Sequence, residues 1–354
     1  MKDMGHRACI ESALNFEKPE RTPFCNFADI AMMGSAGIDI AEARQNAKVS
    51  TKCAIRYAQM TGSDLVFPLI DTNIQFKDIV KPMKVELTHP ADNYTLIRNK
   101  IAQTPEQVDA LELYDPFDSR SCPEFTSAFV DNISDLANSI EEDWHVFGFC
   151  WAPLSTAGFL MGTEEMMMNI LLEPDLVHRL FDKTAVFCRD IQKRCIDAGA
   201  TVMWMADPTA GEDLIDANTF REFEKPCLAE VVRGASEYNK DTLMFLHMCG
   251  FTENSMMELP DIGVQVFSCD VKNDLGRCRK ALGKSMSLMG NVSPVGNLLM
   301  GGPEDVREES YDCIRKAGMD GGFILAPGCE VPRDAPDANV IAMGDAARSF
   351  WKSQ

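Results

Sequence analysis

Two short stretches of this chain place metal-binding side chains where a strand is about to end. In LHMCG (246–250) an apolar run closes, His247 and Cys249 follow two positions apart, and Gly250 comes next. In APGCEVP (326–332) Cys329 stands directly after a Pro-Gly pair. One imidazole and two thiolates form a borderline-soft donor set of the kind that zinc takes. In extended backbone, residues i and i+2 project to the same side, so His247 and Cys249 can grip one ion together while Met248 points away. Cys329 would supply the third ligand from a distant strand, and Asp270, in FSCDV, or water would fill a fourth position. Three protein ligands with an exchangeable fourth position is the pattern of a catalytic zinc, not a structural one. An H-x-C pair alone in a chain with 13 cysteines carries little weight. Its place at a strand end, shared with Cys329 and Asp270, makes it a candidate.

The elements that position these residues must be parallel strands whose ends share one rim. Eight apolar segments end in polar, Gly or Pro signals: 22–27, 64–70, 145–151, 201–206, 243–247, 264–269, 285–290 and 322–328. The segments between them carry apolar residues at helical spacing. The clearest are 173–200, with Pro174 at its start and Gly199 near its end, and 303–322, again Pro first and Gly last. Strand alternating with helix predicts an α/β fold, here one (β/α)8 TIM barrel forming a single domain over residues 1–354. Residues 1–20 read as a helical segment across the barrel bottom. The stretch VELTHPADNYTLIRNK (85–100), between the second and third strands, reads as a β-hairpin with its turn near Asp92–Asn93. Chemistry in such barrels sits at the C-terminal strand ends. Asp207, Asn291 and Asp71 also follow strands; they are candidates for contacting or orienting substrate, with capping of the next helix or loop as the competing role.

Composition narrows the field. The formal charge of −20 argues against nucleic acid, which needs clustered Lys and Arg. It also disfavours a substrate with many carboxylates. No run of about 18 apolar residues exists, so no transmembrane helix is expected. The N-terminal stretch is too polar for a secretory signal, and scattered cysteines suit a reducing compartment, which together predict a cytoplasmic protein. Cys150, Cys188, Cys195, Cys269, Cys278 and Cys313 read as packing residues, and His6, His89, His145 and His178 have no ligand partners at suitable spacing.

At these residues the sequence resembles the uroporphyrinogen decarboxylase-like barrels, and within them the methylcorrinoid:coenzyme M methyltransferases. The resemblance runs along nearly the whole chain through FEKPERTPF (16–24), GSDLVFPLID (62–71), APLSTAGFLMG (152–162), DAGATVMWMADPTAG (197–211), LHMCG, GNVSPVGNLLMGGPEDV (290–306) and GGFILAPGCEVP (321–332). It implies a zinc-dependent transfer of a methyl group from a methylated corrinoid to a small thiol, coenzyme M first, with His247, Cys249 and Cys329 as ligands. Cobalamin-independent methionine synthase is a more distant relative with an acidic residue between the pair and the last cysteine; Asp270 is the nearest match, as Asp and not Glu. The corrinoid is expected on a separate partner protein. Homocysteine or a folate would be alternative acceptors. Uroporphyrinogen decarboxylation is a further alternative, disfavoured because NFADIAMMGSAG (26–37) lacks the arginine that the decarboxylases carry there. A zinc-binding barrel that only scaffolds a corrinoid protein is the non-enzymatic rival.

Overall fold

The structure, a computed structural model, describes residues 4–353 except Glu142. Seven parallel strands form the central sheet: β1 (Leu65–Val66), β4 (His145–Trp151), β5 (Val202–Ala206), β6 (Leu243–Met248), β7 (Val266–Cys269), β8 (Ser287–Val292) and β9 (Phe323–Pro327), adjacent in that order. The expected first strand is reduced to a parallel bridge between Phe24 and Leu325. It still closes the ring, since Cys25 N–H donates to Leu325 O at 2.9 Å and Asp64 N–H to Phe24 O at 2.7 Å. Its shortness has local causes. Pro23 has no N–H to give a ladder, and Phe27 turns out of the extended region at φ 34°. The segment 64–70 is likewise cut to two residues, because Pro68 removes a donor. The remaining strands agree with the sequence reading to within two residues at each end.

Between strands, helices cover the barrel. The helix Pro174–Asp197 turns Leu176, Val177, Leu180, Phe181, Cys188, Ile191 and Cys195 inward at three- and four-residue spacing. Inside the ring, Phe67 stacks on Phe147 with centroids 3.8 Å apart, and Phe147 meets Trp204 edge-on at 5.5 Å. The N-terminal segment is helical over His6–Leu14, and residues 1–3 lie outside the described residues. This helix sits at the bottom of the barrel. His6 Nδ1 is 2.8 Å from Asp64, just before β1, and Ser287 Oγ at the start of β8 donates to Ala13 O at 3.3 Å.

The expected hairpin is present between β1 and β4. Strands β2 (Leu87–Thr88) and β3 (Leu96–Ile97) pair antiparallel. One buried ion pair ties it to the barrel: Asp71, after β1, holds Arg44, while Arg44 donates to Pro90 O at 2.7 Å and to Asn93 O. Asp71 also accepts from Thr95 N–H at 2.9 Å and Thr95 Oγ1 at 2.5 Å. Of the thirteen cysteines, only Cys227, Cys249 and Cys329 are partly exposed and the other ten are buried. Among the described residues no helix is long and apolar enough to cross a membrane.

Candidate metal centre

Strand register brings the candidate ligands together. His247 near the end of β6 pairs across to Ala206 of β5 and Ser268 of β7. Gly250 at φ +81° then turns the chain away immediately after Cys249. Cys329 follows β9 by two residues. The ligand atoms of His247, Cys249 and Cys329 all lie within 4.8 Å of one another, with Cys249 Sγ 3.3 Å from His247 Nε2. A tetrahedral ion with bonds of roughly 2.0–2.3 Å needs donors roughly 3.3–3.8 Å apart; the His247–Cys249 separation meets this, and the donor types suit zinc. The other ring nitrogen is already engaged: His247 Nδ1 lies 3.1 Å from Ser268 Oγ and 3.3 Å from Ser268 O. That contact orients the imidazole so that Nε2 faces the sulfurs. Ser268→Ala is expected to weaken zinc affinity by about tenfold while leaving the three ligands in place, measured by competition with a chromophoric chelator.

The electrostatics suit anionic sulfur. Hydrogen bonds from Cys249 and then His247 pull Cys329 down to about 4 against the opposing effect of burial. Cys249, giving its hydrogen bond to Cys329 and itself buried, is pushed up. Burial disfavours the His247 cation, but Cys329 and Asp270 outweigh it and raise its pKa. The neighbours of Cys329 thus favour its thiolate form.

The other candidate residues have different partners. Asp270 stays outside the three-residue group. Its Oδ2 accepts from Gly250 N–H at 3.0 Å and its Oδ1 from Lys272 N–H at 2.9 Å, which fixes the turn carrying Cys249. Asn291 donates to Asp270 O at 3.1 Å and Asn273 O at 3.0 Å, bracing the same loop. Asp71 is taken up by Arg44 and Thr95. Asp207 is fully buried and accepts from Ser155 Oγ at 2.6 Å. Its second oxygen and both oxygens of the neighbouring buried Glu224 have no hydrogen-bond partner among the described residues. None of Asp207, Asn291, Asp71 and Asp270 lines the cavity at the cluster.

Burial pushes Asp207 up to about 6 and raises Glu224 well above the carboxylate range, which favours a proton on this pair. Folded-state values above the unfolded ones mean that this contribution to stability is complete below the ordinary 3.8 and is lost as pH rises through about 6. The thermal midpoint of Glu224→Gln is therefore expected to depend less steeply on pH between 4 and 7 than that of the parent. Parallel curves would count against a proton on this pair.

A cavity of about 350 Å³ opens onto the three ligands. Sequence reasoning missed most of its wall. Phe147 and Phe149 alternate along β4 as inward positions do, which was a readable signal. Glu330 was adjacent to Cys329 in the quoted motif. Tyr94 gave no signal: it reaches the cavity only because the hairpin folds over the mouth, where its hydroxyl donates to Glu330 Oε1 at 2.7 Å.

Known proteins resemble this chain at both levels. A uroporphyrinogen decarboxylase of Microcystis aeruginosa is 30% identical over 295 residues, covering 81% of this chain and 77% of the relative. The methylcobamide:CoM methyltransferase MtaA of Methanosarcina barkeri is 26% identical over 226 residues, covering 63% of this chain and 64% of the relative. Among solved structures, a methyltransferase from Methanosarcina mazei superposes with a TM-score of 0.82 at 20% identity, over 99% of this chain and 100% of that one. Residues 6–350 match the uroporphyrinogen decarboxylase (URO-D) family, and the chain belongs to that family, with both decarboxylases and methylcobamide:CoM methyltransferases as its relatives.

Proposed function

We propose that this chain transfers a methyl group from a methylated corrinoid, carried by a separate protein, to a thiol held at the His247–Cys249–Cys329 cluster. The observation that carries the reading is the convergence of these three ligand atoms at the C-terminal strand ends, beside a cavity. Bound there, zinc would supply a positive centre that keeps a substrate thiol ionised at neutral pH. His247, fixed through Ser268, sets the direction of one ligand. Cys249 and Cys329 surround the substrate sulfur with negative charge, which preserves its nucleophilicity. The apolar wall excludes water and orients the thiol toward the mouth. The sulfur takes the methyl group in line, its proton having left to solvent, and the electron pair of the broken carbon–cobalt bond departs with the corrinoid.

The names of relatives put coenzyme M first among acceptors to test, with homocysteine and a folate beside it. Decarboxylation of uroporphyrinogen is favoured by the 30% identity to a decarboxylase. Against it stands the cavity, whose lining includes Asp29 and Glu330 and no lysine or arginine to hold carboxylates. The deciding experiment incubates the protein with methylcobalamin and a panel of thiols, with and without a zinc chelator, and follows loss of the methylcobalamin absorbance. Thiol-dependent demethylation that stops with chelator and returns with zinc supports the reading. Porphyrinogen turnover by zinc-free protein would replace it, and binding of a corrinoid protein without any methyl transfer would favour a scaffold.

A further inference from the structure

Which thiol the cavity takes can be read from the charge and shape of its walls. Aromatic rings make up much of the lining: Phe27, Phe67, Phe147, Phe149, Trp151 and Trp204. Phe27 packs 4.5 Å from Trp204, and Trp204 lies nearly parallel to the His247 ring, 19° between planes and 6.0 Å between centroids. Flat apolar faces beside the ligand cluster suit a flat apolar body.

Asp29 and Glu330 line the cavity, no lysine or arginine does, and burial raises both carboxyls toward their neutral form. An anion entering here would lose its water without meeting a basic side chain to replace it. A cation has little to gain either, because both acids are already engaged. Asp29 accepts from Ile70 N–H at 3.3 and 3.2 Å, and Glu330 Oε1 accepts from Tyr94 Oη at 2.7 Å and Ile30 N–H at 3.2 Å. Trp204 is 1% exposed with its indole N–H enclosed, so the wall presents that ring as an apolar surface.

We propose that the acceptor at this site is an uncharged, flat aromatic or heteroaromatic thiol, and that anionic thiols, coenzyme M included, are poor substrates. The chemistry rests on the methyl-transfer reading above; the binding preference does not. Three thiols test it: furfuryl mercaptan, 2-mercaptoethanesulfonate, which is coenzyme M, and cysteamine. Each is given to the zinc-loaded protein with methylcobalamin, and binding of each methyl thioether is followed separately by quenching of tryptophan fluorescence, to which Trp151 and Trp204 contribute. The expected kcat/KM for furfuryl mercaptan is at least ~10-fold above that of either charged thiol. Its thioether should quench at concentrations where the other two do not. A higher kcat/KM for either charged thiol, tighter binding of either charged thioether, or no binding of the neutral one overturns the proposal. Selective binding of the neutral thioether with no methyl transfer to any thiol would remove the proposed reaction and leave the pocket assignment standing.

Discussion

Cys329→Ala is expected to retain less than about a tenth of the zinc bound by the parent chain and to transfer methyl groups at least ~10³-fold more slowly. His247 and Cys249 come from one strand end, and Cys329 arrives from the end of β9. Without it the remaining two ligands span only one side of the ion. Cys329 is also the sulfur whose local hydrogen bonds favour the thiolate, down to about 4, so the substitution removes the donor readiest to bind. Cys249→Ala should behave alike. Neither side chain belongs to the buried core, so both variants should keep the parent's circular dichroism and unfold within ~1 kcal/mol of it. Metal content by atomic emission and the methylcobalamin absorbance give the two readings. Full zinc and full rate in either variant would refute the ligand assignment.

The second large effect is on stability. Asp71→Asn should destabilise the fold by ~3–5 kcal/mol, the usual cost of leaving one member of a buried ion pair alone. The Arg44 and Asp71 side chains are 7% and 0% exposed. The Asp71 carboxylate holds Arg44, Thr95 N–H and Thr95 Oγ1 at once, and an amide offers one acceptor oxygen where two are in use. Arg44 would keep its carbonyl partners Pro90 and Asn93 but bury an uncompensated charge. Urea unfolding gives the number. Replacing both residues together with apolar side chains of similar size should recover much of the loss. A single-variant loss below ~1 kcal/mol would mean the pair is solvated in solution. Tyr94, next to Thr95, reaches Glu330 only while the hairpin is anchored, so activity should fall along with stability.

The sequence was most legible where a periodic signal and a sharp stop coincided. Strands β4 to β9 in the sheet, the helix Pro174–Asp197 and the hairpin around Asp92 all have both. The first strand was overestimated because 22–27 reads as apolar and extended, whereas Pro23 and the turn at Phe27 leave it a single bridge. At the site, His247, Cys249 and Cys329 were readable because ligand type and strand end are both local properties. The partners of Asp270, Asn291, Asp207 and Asp71 were not. Each carries a side chain that a strand-end position alone cannot distinguish from a substrate contact, and its partners come from other segments of the chain: Gly250 for Asp270, Asn273 for Asn291, Ser155 and Glu224 for Asp207, Arg44 for Asp71. The aromatic wall lay in plain view as alternating rings, but its place beside the three ligands required the barrel's register.

The burial of ten thiols has a practical consequence for following this protein in the laboratory. A membrane-permeant alkylating reagent applied to the native chain can reach Cys227, Cys249 and Cys329 far sooner than the rest. Mass spectrometry of the labelled peptides would then act as an occupancy gauge, with Cys227 as internal reference and the other two fading from the spectrum as an ion shields them.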